Sequence, residues 1–253
     1  YTVIAPGFGF LRDIFTEPYI VNWKLTRVGA VSAEIPGVTI PYEAFPGSIG
    51  VLPGVKEVKK YKTREAELAA AGGAALGPSP AGALPDAICG PKGSHKDDCL
   101  RTIPPRENGG NMDDPSIVKG STVYFPVLVK GALFSIGDAH AVQGLGEVCG
   151  TALESPMTFT YRLRVIKDAP PIKEPQYETD KFYAVTGFGT TIDLATKKAV
   201  NYMVDHLVAN YDITDEEAYM LCSLVGDLKI AEVVDVPNML VTMHFPKSIL
   251  SQL

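Results

Sequence analysis

Residues 121–149 read STVYFPVLVKGALFSIGDAHAVQGLGEVC. Two apolar runs flank Lys130-Gly131 and read as strands separated by a turn. The second run leads directly into Gly137-Asp138-Ala139-His140. On an extended segment the side chains of Asp138 and His140 point to one face, because the strand period is two. Carboxylate oxygen and imidazole nitrogen are ligands for zinc and similar divalent ions. The glycines at 137, 144 and 146 allow sharp turns and close backbone approach. Glu147 follows, where it could reach a metal-bound water. Taken alone, the stretch also fits a hairpin loop with solvated acids and one satisfied histidine.

Upstream, Pro104–Asp114 reads PPRENGGNMDD, with Asn111 and Asp113 two apart beside paired glycines. On its own it is equally an Asx-rich turn. The first 55 residues are rich in Gly, Pro and β-branched residues, and AEIPGVTIPY and SIGVLPG read as short strands broken by turns. Residues 56–71 read as a helix, with Val58, Tyr61 and Leu68 in period and Glu65 as a polar interruption. Residues 72–98 form a long Gly/Pro/Ala-rich loop without periodicity.

Downstream, MTFTYRLRVIKD (157–168) alternates and predicts a strand with one wet face. A Pro-rich connection precedes the strand KFYAVTGF. A helix follows, with Leu194, Val200, Met203, Val204, Leu207 and Val208 as its apolar stripe and Asp193 as its cap. Thr214 and Glu217 form a capping box that opens a second helix ending at Gly226. LKIAEVVD and NMLVTMHF close the chain as strands. The organisation expected is a β-sandwich-like body over 1–180, mainly β, and an α+β C-terminal part over 181–253. A doubly wound parallel sheet is not expected.

Composition narrows the function. The chain has 253 residues, 46% hydrophobic and 21% charged, with formal charge −6 and no block of Lys and Arg. Nucleic acid is therefore not an expected partner. No apolar run approaches the ~18 residues of a membrane span, so no membrane is expected. No signal peptide is read at the start, and Tyr1 is not taken as a natural first residue. The cysteines, Cys89, Cys99, Cys149 and Cys222, contain no CxxC pair. Cys149 and Cys222 sit in apolar surroundings and read as buried thiols, whereas Cys89 and Cys99 flank a loop and could pair in an oxidising compartment. Ser48 reads as a turn serine, His244 as a packed or surface histidine, and His206 as solvated.

GGNMD (109–113), followed by GSTVYFPVLVKGALFSIGDAHAVQGLGEVCGTALE (120–154), strongly resembles the acetamidase/formamidase signature. FPGSIGVLP near residue 45 and EEAYMLCSLVGDLKIAEVVD near residue 216 extend the likeness over nearly the whole chain. The resemblance implies a β-sandwich-like body, hydrolysis of formamide or acetamide to the acid and ammonia, and a homo-oligomer. A small amide is then the substrate, and the cytoplasm is the expected location. On this reading a divalent metal, zinc, is held by Asp138, His140 and Asp113. Glu147 shuttles the proton, Asn111 holds the amide or its oxyanion, and Gly110 and Gln143 contact the substrate. The family carries Asp between the glycines of QGDGE where this chain has Leu145, and the chain looks like the family without its N-terminal portion. A non-catalytic scaffold and a hydrolase of cyclic amides (lactams) are the alternatives.

Overall fold

The computed structural model describes residues 1–71, 86–89 and 92–253. Most of the expected 72–98 loop lies outside the described residues. In chain order the elements are β1 (Thr2–Ile4), β2 (Tyr19–Val21), β3 (Lys24–Leu25), β4 (Ala30–Val31), β5 (Thr39–Ile40), β6 (Phe45–Gly50), α1 (Val55–Ala70), α2 (Asp86–Cys89), β7 (Gly109–Asn111), β8 (Thr122–Tyr124), β9 (Ser135–His140), β10 (Gln176–Glu178), β11 (Phe182–Gly189), α3 (Ile192–Asn210), α4 (Asp215–Val225), β12 (Asp227–Glu232), β13 (Met239–Pro246) and α5 (Lys247–Leu250). The fold is mainly β, in several antiparallel sheets with a few helices.

The largest sheet has the order β12-β13-β11-β10-β8. β11 and β13 pair over their whole length, from Phe182↔Pro246 to Gly189↔Met239. Alternation sends Val185, Val241, Met243 and Phe245 to one face, under Ala195, Ala199, Met203 and Leu207 of α3. Tyr177, Ala184, Phe188 and Leu240 go to the other face and meet Ile49, Met112 and Ile117. Both faces are covered, which is why these strands read as continuous apolar runs. Gly187 lets α3 approach: a Cβ there would lie 2.6 Å from the Ala199 nitrogen and closer to the Ala195 carbonyl. The sheet draws β8 and β10 from before residue 180 and β11–β13 from after it, so both sequence regions build one layer.

The second layer is the sheet β7-β6-β9, which carries the polar residues described below. Its residues share the Ile49–Met112–Tyr177–Phe188 core with the large sheet, giving the sandwich-like arrangement. The helix α1 is pinned through Glu65. This residue is not an interruption: it is buried and accepts from Arg106 Nε at 2.9 Å and from Arg101 at 3.1 Å.

Several local expectations are corrected. Residues 157–168 are in no strand, and Tyr161, Leu163, Val165 and Ile166 are exposed. Alternation gives the segment strand propensity, but it pairs with no strand among the described residues. The apolar runs of 121–138 are strand only at 122–124 and 135–140, with Val129–Gly131 closing a turn between them. The α3 cap is Thr191, whose side chain accepts from the Leu194 nitrogen, while Asp193 lies in the first turn. Leu194 is 49% exposed, and small Ala195 and Ala199 take the helix contact instead. The capping box of Thr214 and Glu217 is present, and Gly226 is the C-cap. Cys89 and Cys99 form a disulfide, Cys222 is a buried free thiol, and Cys149 is free but only half-buried. His206 is not simply solvated, because it stacks on Tyr183 at 3.9 Å between ring centroids.

Candidate functional site

The short sheet brings distant sequence together. β6 lies between β7 and β9, so Ser48 faces Asn111 on one side and Gly137 on the other, and Phe45 faces His140. The centre of this arrangement is Gly47. A Cβ there would stand 2.7 Å from His140 Cε1, 2.9 Å from Asp138 Oδ2 and closer still to Asp113 Oδ1. Two side chains of β9 and one from the segment just after β7 occupy the space that any larger residue at 47 would fill.

Backbone conformation aims the acids. Asp113, Asp138 and Glu147 have φ of 44°, 54° and 46°. Non-glycine residues rarely take this left-handed region, and each costs on the order of 1–3 kcal/mol. Among the described residues only Ala132 and Leu133 share it without being acidic. Strain concentrated on three carboxylates around one imidazole is the mark of a functional site.

His140 is buried and is the hub. Its Nε2 lies 3.5 Å from Asp138 and 3.3 Å from Glu154, and its Nδ1 lies 3.6 Å from Asp113. Gln143 Oε1 sits 2.9 Å from Nδ1, while Gln143 Nε2 donates to the Asp113 carbonyl at 2.6 Å. Both ends of this amide are thus engaged in holding His140 and Asp113. Burial alone would lower the imidazole pKa, but Asp138, Glu154 and Asp113 outweigh it and push it up to about 11. The bond to His140 holds Asp138 below the usual carboxylate range.

Behind the hub lies a denser acidic group. Asn111 Nδ2 donates to Asp113 at 2.5 Å and to Asp235 at 2.7 Å, and its Oδ1 accepts from Ser48 at 2.6 Å. Asp113, Glu147 and Asp235 are all buried, and each carboxyl is pushed well above its ordinary range, by burial first and by the neighbouring acids next. Glu147 is positioned from the C-terminal part: Gly146 donates to the Ala231 carbonyl at 2.8 Å and accepts from Val233 at 3.2 Å. Leu145 points no charge at the site and is 48% exposed. Gly110 lies opposite Ile49 at φ 100°, with open space where a side chain would be.

Among the described residues, three sets of side chains bring ligand atoms within 4.8 Å of one another: Asp113–Asp138–His140, His140–Glu147–Glu154 and Asp113–Glu147–Asp235. The first suits a divalent ion on independent grounds. Among the described residues Asp113 Oδ1 is buried with no hydrogen-bond partner, and Gly47 supplies the cradle. A mixed imidazole and carboxylate set is a zinc-type donor set. Beside Glu154 a cleft of about 520 Å³ opens, walled by Trp23, Leu25, Ala139 and Leu153.

All the site residues expected from sequence therefore fall in or next to one cluster. Sequence reading missed Gly47, Ser48, Glu154, Glu232 and Asp235. Ser48 is in β6 and bonds Asn111; it is not a turn serine. Glu154 ends the motif block and bridges to His140, so its position was a usable signal. Asp235 lies three residues beyond the buried Glu232 in EVVD, where a run of apolar residues reads as strand. His244, expected as a packed or surface histidine, is buried and contacts Tyr177 Oη at 2.9 Å. The Cys149 thiol bonds the Thr151 carbonyl at 3.3 Å.

The model of the Acetamidase/Formamidase family matches residues 1–252. A formamidase from Methylophilus methylotrophus is 30% identical over 272 residues, covering 96% of this chain and 66% of that protein. An acetamidase from Mycolicibacterium smegmatis is 36% identical over 152 residues, covering 57% of this chain and 37% of that protein. The chain thus spans less than two thirds of the length of either relative. The crystal structure of an acetamidase from Bacillus halodurans superposes with a TM-score of 0.72 at 23% identity, over 99% of this chain and 70% of that one, a likeness of fold.

Proposed function

The chain belongs to the acetamidase/formamidase family, and on that premise we propose that it takes part in metal-assisted hydrolysis of short linear amides, formamide or acetamide, to the carboxylic acid and ammonia. The observation that carries this reading is the convergence of Asp113, Asp138 and His140 on Gly47, with Asp113 Oδ1 buried and unpartnered. These three residues would hold the metal, zinc, which would supply Lewis-acid polarisation of the amide carbonyl and activation of water.

The protein's own groups do the rest. Gln143 fixes the His140 ring through Nδ1, which would leave Nε2 free to serve as a ligand atom. Glu147 accepts the water proton and returns it to the departing nitrogen. Its burial among acids supports that role, because a carboxyl with a raised pKa can hold a proton near neutrality. Asn111 ties Asp113 to Asp235, and it stabilises the oxyanion when its amide releases one of them. The open backbone at Gly110 receives the amide. Leu145 leaves Glu147 as the acid of that loop.

We also infer a homo-oligomer, supported by the exposed apolar side chains of Tyr161, Leu163, Val165 and Ile166; light scattering tests it. No described helix is long and apolar enough to cross a membrane. We place the chain in the cytoplasm, where a disulfide such as Cys89–Cys99 is uncommon. A thiol count on rapidly quenched cell protein checks this: four free thiols fit the placement and two oppose it.

The test of function is metal analysis of the purified protein together with ammonia release from formamide, acetamide, larger amides and a lactam. Stoichiometric zinc with turnover of the small linear amides is expected. Turnover of the lactam alone would reassign the substrate, and a folded protein with neither metal nor turnover would leave a scaffold.

A further inference from the structure

Resting on the metal-site reading and going beyond it, we propose that Tyr177 is a positioning residue: through Asp114 it holds Asp113 in the backbone conformation that turns its carboxylate to His140.

Asp113 and Asp114 are neighbours in the chain that face different layers. Asp113 Oδ1 lies 3.6 Å from His140 Nδ1, on the side of the small sheet. Asp114 is completely buried and turns to the large sheet, where its Oδ2 accepts from Tyr177 Oη at 2.5 Å. Its Oδ1 accepts from the Ser116 nitrogen at 2.9 Å, and its carbonyl accepts from the Ile117 nitrogen at 3.0 Å. Asp113 itself donates its N–H to the Gly47 carbonyl at 3.0 Å and accepts Gln143 Nε2 on its own carbonyl at 2.6 Å. Its φ of 44° lies where a non-glycine residue stays only if its surroundings over-determine it. Gly47 and Gln143 hold Asp113 from the site, and Tyr177 holds the residue that follows it from the other layer.

Sheet register explains how the Tyr177 hydroxyl is aimed. Tyr177 pairs with Ala184, and Ala184 pairs with His244, so the three stand in one row on one face. Ala184 is small and fully buried, and it leaves room for the two rings to meet over it. Their centroids are 5.7 Å apart, with Tyr177 Oη 2.9 Å from His244 Nε2. The Nε2 atom also lies 3.0 Å from Thr242 Oγ1. Because the tyrosine proton goes to Asp114, His244 Nε2 carries a hydrogen and donates it to Tyr177 Oη. Nδ1 is then a bare acceptor, and among the described residues it has no partner. Burial first, and the charge of Lys229 next, hold this imidazole down at about 3, so it is neutral at pH 7. The hydroxyl is thereby fixed from behind and directed at Asp114.

Asp114, Tyr177, Thr242 and His244 are at most 3% exposed, on a face otherwise built from Ile49, Met112, Phe188 and Leu240. Apolar side chains of similar volume would fill that face at a smaller desolvation cost. What the polar chain adds is a fixed direction at the residue next to Asp113. Groups that orient a metal's ligands typically carry about 10–100-fold in metal affinity or activity.

The experiment sets Tyr177→Phe against Tyr183→Phe in the full chain. Each deletes one hydroxyl from the same sheet, but Tyr183 Oη donates to Gln176 at 2.6 Å. Zinc affinity, kcat on acetamide and formamide, and the visible absorption of Co²⁺-loaded protein, which reports ligand geometry, are read for both. Tyr177→Phe should lose about 10–100-fold in zinc affinity or kcat and change the Co²⁺ bands, while Tyr183→Phe matches wild type. Folded Tyr177→Phe with wild-type affinity, kcat and Co²⁺ spectrum overturns the proposal, as does an equal loss in both variants. If Tyr177→Phe does not fold, Asp114→Asn, which keeps the shape and weakens the acceptor, is read in its place with the same outcomes. A wild type that holds no zinc and turns over no amide defeats the metal-hydrolase reading alone. The crystal structure of the folded variant then decides: Asp113 swung away from His140 upholds the positioning, and Asp113 unmoved overturns it.

Discussion

The large sheet with α3 and the small sheet β7-β6-β9 solve opposite problems. In the first, Met203, Leu207, Val185, Met243 and Phe245 are buried side by side, and the helices are capped by Thr191 and Thr214. In and beside the second, three acids sit in left-handed backbone, Asp113 Oδ1 is buried without a hydrogen-bond partner among the described residues, and acids outnumber the single imidazole. One region lowers the free energy of the fold, and the other raises it locally. The difference teaches where to look for chemistry, because strain and orphaned polar groups persist only where surrounding structure or a ligand compensates them. Substitutions in the two regions should therefore separate stability from turnover.

The largest effect is expected at Glu147. Glu147→Gln keeps the shape and removes the proton acceptor, and kcat should fall by ~10²–10⁴ with the protein folded and metal-loaded. Steady-state kinetics beside a metal assay checks this; wild-type turnover would remove Glu147 from the mechanism, and loss of the zinc would move it among that ion's ligands. On the other side of the comparison, Met203→Ala should cost about 2–5 kcal/mol of unfolding free energy in denaturant titration. Turnover per folded molecule should stay near wild type, and a specific loss of kcat would erase the division between the regions. Thr214→Ala removes the cap of α4 and should cost about 1 kcal/mol, again without touching kcat. The smallest effect is expected for Cys149→Ser, which should retain most amide hydrolysis. An acyl group trapped on Cys149 would instead replace the metal mechanism with a thiol nucleophile.

The same contrast explains what could be read in advance. The Thr214–Glu217 box and the Asp138-x-His140 pair are local signals, written within a few residues, and both fall where the pattern puts them. Asp235 and Glu154 are isolated acids at the ends of apolar segments. They join the cluster only because β12 bonds to the Gly146 loop and because Glu154 bridges to His140. Gly47 looks like any strand-breaking glycine until the three side chains that fill its space are placed. Residues 157–168 show the converse. Their alternation is a valid strand pattern, yet a strand needs a partner, and pairing is set by tertiary structure that propensity does not contain. The cap of α3 moved two residues, from Asp193 to Thr191, because both residue types cap well and only geometry decides between them.

The central claim is that Asp113, Asp138 and His140 form a metal site. Zinc content of purified wild type and His140→Ala, measured by mass spectrometry of the metal and normalised to folded protein, tests it most directly. The account predicts stoichiometric zinc in wild type and its loss in the variant. Full zinc occupancy with intact activity in His140→Ala would contradict it.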